Sequence, residues 1–207
     1  MSASNKVPTW EPPFSFTPEN LAKAHKIIAN YPVMRRASAL MPLLELAQRQ
    51  NDNWLPRSAM DFVADMIGVP RVQAYEVATF YTMYNKAPVG KNMVRVCTTT
   101  PCWLRGSDDI VATCKKKLGV DMGDITEDGQ FSLHEVECSG ACVNAPVVEI
   151  NDDYYEDVTP EAMERIIDAF KRGEKPKAGS QIGRQGSCPE GGPTTLKAFT
   201  APDQGGE

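Results

Sequence analysis

Cys97 and Cys102 bracket the run C-T-T-T-P-C, and Cys138 and Cys142 bracket C-S-G-A-C. Each pair ends an apolar, alternating stretch: Val94 and Val96 lead into the first, and Phe131, Leu133 and Val136 lead toward the second. A thiolate is the metal-binding form of cysteine, and four of them buried without a cation would be prohibitively costly. Four sulfurs from two loops can ligate the two irons of a [2Fe–2S] cluster, two apiece, or surround one zinc ion. The C-x4-C and C-x3-C spacings lie in or near the zinc range, so spacing leaves both metals open. A redox disulfide fits less well because C-x-x-C is absent, and the plant-type ferredoxin spacing is absent too. Both pairs fall at strand ends rather than on an apolar face, which argues against an accidental set of core cysteines. Ser139, Gly140 and Ala141 are small enough for backbone N–H groups to approach a sulfur, and Pro101 and Pro146 stiffen the two loops.

The remaining chemistry-bearing residues invite plainer readings. Cys114 stands at helical spacing with Ile110, Val111 and Leu118 and reads as core, while Cys188 reads as a free thiol. His25 is expected on a helix surface, and His134 on the solvent side of the strand before Cys138. Trp103 follows a candidate ligand and would shield the site or simply pack. Glu135 and Glu137 add negative charge nearby, and Lys115, Lys116 and Lys117 read as an exposed helix face. Neither G-x-G-x-x-G after a strand nor G-x-x-x-x-G-K-[ST] occurs, so nucleotide binding is not written here.

The elements that must position the cysteines form an α+β chain. Residues 1–16, with Pro8, Pro12 and Pro13, are expected to be an extended arm. Residues 17–86 predict a small helical bundle. Its first helix opens at Thr17-Pro18, where a hydroxyl caps and a proline loses nothing. The second spans about Arg36 to Gln50, with Pro42 forcing a late start or a kink. The third follows a capping box at Ser58 and Asp61 and stops at Gly68. The fourth opens at Val69-Pro70 and ends near Asn85. Ala87-Pro88-Val89-Gly90 marks the boundary to residues 87–173, which read as a strand over Met93–Cys97, a helix capped by Ser107 or Asp108, and a strand over Phe131–Cys138. A hairpin around Asn151-Asp152-Asp153 and a helix from Thr159-Pro160 to Gly173 follow. Residues 174–207, rich in Gly and Pro, are expected to be an extended tail.

Composition narrows the function. Hydrophobic content of 42% and charged content of 24% are ordinary for a globular protein, and a net charge of −5 argues against a general nucleic-acid binder. No apolar run approaches the roughly 18 residues of a membrane span, so direct membrane insertion is not expected. Residues 1–30 lack the features of a signal or transit peptide, and a cytoplasmic chain is expected. In that compartment clustered thiols point to metal rather than disulfides.

With these residues in place, the chain resembles the thioredoxin-like [2Fe–2S] ferredoxin family. The likeness rests on the four cysteines at their spacing, on Gly140-Ala141-Cys142 through Ala145-Pro146, on Ala78-Thr79-Phe80-Tyr81-Thr82-Met83, on Pro88-Val89-Gly90-Lys91 and on Asp128-Gly129. It spans about residues 17–197. Glu137 and Ser139 are mild departures that would tune the site without threatening ligation. The resemblance implies a thioredoxin-like domain after the helical bundle, with Cys97, Cys102, Cys138 and Cys142 holding one low-potential [2Fe–2S] cluster. It implies a partner subunit that carries FMN and oxidises NADH, a neighbouring iron–sulfur subunit, and a peripheral place on the inner face of the membrane within a respiratory complex. A tail lying against the partner is implied as well. The same cluster would serve the diaphorase part of a soluble NAD-linked hydrogenase or formate dehydrogenase. A zinc-stabilised interaction module is the reading without redox chemistry.

Overall fold

A computed structural model of the protein describes residues 13–184. The contacts divide these into two units, one of residues 13–91 with Asp124–Ser132 and one of Asn92–Gly123 with residues 133–184. The fold class is α+β.

In the first unit, α1 (Pro18–Ala29), α2 (Leu40–Gln50), α3 (Arg57–Ile67) and α4 (Arg71–Phe80) pack in sequence around Leu43, Leu44, Ala47, Leu55 and Val63. The Thr17 hydroxyl accepts from the Asn20 N–H at 3.3 Å, as a cap should. The second helix begins at Leu40 rather than Arg36. A 3-10 stretch over Val33–Ala39 precedes it, and Pro42 then sits in the first turn, where its missing N–H is harmless. The Ser58 capping box does not form, because α3 starts at Arg57 behind Pro56 and takes Ser58 inside the helix. The fourth helix stops at Phe80, short of Asn85. The chain beyond is fixed by the buried Gln48, whose Nε2 donates to the Met83 carbonyl at 3.0 Å while its Oε1 accepts from the Asn85 N–H at 2.7 Å. Gly90 has no room for a side chain: a Cβ there would lie 2.2 Å from the Phe131 carbonyl carbon.

The second unit carries β1 (Asn92–Cys97), α5 (Thr100–Leu104), α6 (Ser107–Leu118), residues 133–136 of β2 (Phe131–Val136), β3 (Val148–Ile150), β4 (Asp153–Glu156), α7 (Pro160–Lys171) and β5 (Gly179–Ser180). The strands form a sheet in the order β2-β1-β3-β4-β5. β1 runs antiparallel to β3, with Val94 opposite Ile150 and Val96 opposite Val148, and β3 forms a hairpin with β4. Asn151 makes the hairpin turn with φ +56°, a conformation asparagine tolerates, and its side chain accepts from the Met93 N–H at 2.9 Å. α6 packs against α7, whose Thr159 hydroxyl accepts from the Ala162 N–H. Gly106, not Ser107 or Asp108, sits at the cap position of α6. The short α5 was not expected, nor was β5, which lies parallel to β4 in a stretch read as extended tail.

Candidate metal centre

Cys97 is the last residue of β1, and its N–H donates to the Val147 carbonyl at 3.1 Å. Three residues on, α5 opens with Thr100-Pro101 and turns Cys102 back toward it. Both thiols are 1% exposed and pack with Ala145 and Val147 in a small apolar cluster. The second pair sits differently. Cys138 follows the end of β2, and Cys142 opens a 3-10 turn over Cys142–Asn144. Gly140 between them takes φ +82°, a left-handed conformation that glycine adopts without penalty. Their sulfurs are exposed and stand 3.5 Å apart.

The two pairs face a shared set of donors. The Thr99 hydroxyl lies 3.3 Å from the Cys97 sulfur and also bonds Cys138. The Ser139 N–H reaches Cys97, the Gly140 N–H reaches Cys138 and the Val147 N–H reaches Cys102. Sequence reasoning anticipated backbone donors around Ser139-Gly140-Ala141 but missed Thr99 and Val147. The only signal for Thr99 was its place inside C-T-T-T-P-C.

These donors set the charge of the site. Burial pushes the Cys97 thiol up, but hydrogen bonds from Thr99, Ser139 and Cys102 outweigh it and bring the group below the ordinary thiol value. Its neighbour Cys102 is pushed up to about 12 by burial first and by the sulfur of Cys97 second. In the outer pair, the Gly140 N–H and the Cys142 thiol lower Cys138, whereas the bond to Cys138 raises Cys142. Each pair thus holds one sulfur whose thiol is lowered by hydrogen bonds and one whose thiol is raised. Among the described residues no three His, Cys, Asp or Glu side chains converge on one ion-sized site, and the four sulfurs stand as two pairs. Two sulfurs per iron, with N–H groups aimed at them, is a donor set that a [2Fe–2S] cluster fits.

The other singled-out residues lie apart from this arrangement. Cys114 is fully buried in α6, and burial pushes its thiol up to about 12. The Nε2 atom of His134 is buried without a partner, contrary to the expected solvent position, and Ser132 on the same face of the strand is buried too. Burial, and then the nearby Arg95 charge, lower that imidazole. His25 is exposed. Trp103 is 56% exposed and donates its indole N–H to Asp108 at 3.0 Å. Glu135 accepts from the Thr98 hydroxyl. Lys115 and Lys117 pair with Asp121 and Asp168. Cys188 lies outside the described residues.

This chain belongs to the thioredoxin-like [2Fe–2S] ferredoxin family, whose pattern it matches over residues 24–171. Its cofactor is accordingly a [2Fe–2S] cluster. Among curated relatives it is 63% identical to the NADH-quinone oxidoreductase E subunit of Rickettsia bellii, over 76% of this chain and 95% of the relative. It is 53% identical to the mitochondrial NADH dehydrogenase [ubiquinone] flavoprotein 2 of Dictyostelium discoideum, over 89% of this chain and 74% of that protein. The fold is also that of part of a NAD+-reducing [NiFe]-hydrogenase, with a TM-score of 0.55 and 16% identity over 63% of this chain and 23% of the hydrogenase chain.

Proposed function

We infer that this chain is the electron-transferring E subunit of NADH:quinone oxidoreductase, respiratory complex I. The observation that carries this is the identity of 63% along nearly the whole length of the Rickettsia bellii relative. When bound, the cluster supplies one-electron oxidation and reduction. The ligands we assign are Cys97, Cys102, Cys138 and Cys142. The buried pair keeps water from one half of the site, and the Thr99, Ser139, Gly140 and Val147 donors offset negative charge on sulfur. The exposed pair forms the side from which a redox partner can approach.

That partner, in this reading, is the F subunit, which binds FMN and NADH, with the iron–sulfur G subunit as further neighbour. Single electrons pass between the FMN and this chain, which holds no complete active site of its own. The cluster serves from residues 87–173, and residues 17–86 supply the helical part. No helix among the described residues is long and apolar enough to cross a membrane. In this reading its neighbours hold the protein peripherally on the inner face of the plasma membrane, or on the matrix side in a mitochondrion. The diaphorase of a soluble hydrogenase is the rival reading; the hydrogenase likeness at 16% identity speaks to fold alone.

The test is EPR after dithionite with iron, sulfide and zinc analysis on the purified chain. A reddish-brown protein with a rhombic signal and about two irons and two sulfides is expected. A colourless protein with stoichiometric zinc would overturn the assignment. Co-purification with an FMN-bearing partner in a complex that reduces quinone, rather than with a hydrogenase, separates the respiratory complex from the soluble one.

A further inference from the structure

The turn that carries Cys142 is gripped from outside by chain expected to be an extended tail. The Val143 carbonyl accepts from Arg184 Nη2 at 3.1 Å. The other arm of the same guanidinium, Nη1, reaches Asp157 Oδ1 at 3.1 Å. Asp157 is strongly constrained: its side chain is 4% exposed, its φ is +53°, and its second oxygen accepts from the Ser180 hydroxyl at 2.7 Å. Ser180 Oγ in turn accepts from the Arg184 N–H at 3.0 Å, closing the segment on itself. The Gln181 N–H extends the β4–β5 pairing to the Glu156 carbonyl at 2.9 Å.

The same two β4-side residues also hold the turn directly. The Asp157 N–H donates to the Asn144 carbonyl at 2.7 Å, and Asn144 Nδ2 donates to Glu156 Oε2 at 2.7 Å. One buried carboxylate therefore fixes a guanidinium whose far arm ends on the residue next to Cys142. An exposed ion pair would be worth little. A carboxylate removed from water is different, since it needs charged and hydrogen-bonded partners to stay there. The planar fork of arginine spans two acceptors at fixed angles, which a lysine ammonium, a single point donor, cannot reproduce.

We propose that Arg184, anchored by Asp157 and Ser180, is a positioning residue for the Cys142 ligand turn, so that residues 179–184 brace the outer half of the metal centre. This rests on the ligand set assigned above. The test compares the purified, cluster-loaded full chain with its Arg184→Ala, Arg184→Lys and Arg172→Ala variants. Arg172, which pairs with Glu174 on the surface, is the control. Two quantities are read: the rate of bleaching in excess EDTA and the g-values of the dithionite-reduced EPR signal. Losing a residue that orients a ligand typically weakens metal retention by about tenfold or more, so Arg184→Ala should bleach about tenfold faster with displaced g-values. Arg184→Lys should stay close to the alanine variant, and Arg172→Ala should match the parent. Should Arg184→Ala fail to fold, Ser180→Ala replaces it, with bleaching about threefold faster from the loss of one hydrogen bond.

Parent-like bleaching and g-values in Arg184→Ala, or in Ser180→Ala where it stands in, would overturn the proposal. So would full rescue by lysine, which would reduce Arg184 to a counter-charge. A parent without any two-iron signal would bring down the functional reading and this one together. A normal parent with an unchanged variant would bring down this one alone.

Discussion

The two cysteine pairs solve one problem in opposite ways. Cys97 and Cys102 are built into regular structure, the end of a central strand and a short helix, and are 1% exposed. Cys138 and Cys142 hang on a surface loop that owes its shape to Gly140 and to bonds from chain distant in sequence. The inner pair is held by burial, which is robust but drives Cys102 toward its protonated form. The outer pair is held by directed hydrogen bonds, which leave it open to a partner but sensitive to each bond lost. A site that must both keep its metal and hand over electrons at the surface can use one half of each kind.

Breaking either half at the ligands proposed above should give the largest effect. Cys102→Ser and Cys138→Ser are each expected to abolish the normal [2Fe–2S] EPR signal. The inner variant should also lower the melting temperature more, because its hydroxyl is confined where a thiol packed; equal melting temperatures would break the comparison. Next in size is Gly140→Ala. Nothing crowds a Cβ there, so the cost is conformational, about 1 kcal/mol for a left-handed alanine. It should speed cluster loss to chelator about fivefold, and a parent-like rate would show that the loop is not held at that φ. Thr99→Val removes a hydroxyl that serves both pairs while keeping shape. Its expected effect is a more negative midpoint potential with a retained signal, because less positive hydrogen faces the sulfurs; an unmoved potential counts against the shared donor. The smallest effect belongs to Cys114. With its thiol pushed up to about 12, roughly one molecule in ten thousand carries the reactive thiolate at pH 8. Iodoacetamide should leave Cys114 unlabelled in the folded protein by site-resolved mass spectrometry, and Cys114→Ser should keep the cluster signal nearly intact.

Much of this is legible in the chain alone. The sulfur positions follow from spacing, because a strand end places a side chain reproducibly and two such ends can oppose each other. The caps at Thr17 and Thr159 are legible because a hydroxyl before a proline leaves the backbone few alternatives. Ser58 misleads because the same residues suit a cap or a first turn, and Pro56 decides between them. α5 is hidden because a five-residue helix containing Pro101 has no period to read. The brace at residues 179–184 is invisible for a related reason. A glycine-rich stretch has the same composition whether it is free or pinned, and the bonds that pin it span 23 to 41 residues of sequence.

That last separation bears on the order in which the molecule can be completed. The carbonyl beside Cys142 leaves the ribosome well before the guanidinium that will seat it, 41 residues later. The inner sulfurs can settle once Ala145 and Val147 have emerged to pack against them, whereas the outer turn still waits for its distant fastening. Iron acquired too early would meet a half-made receptacle, so loading of this protein belongs after synthesis has passed Arg184.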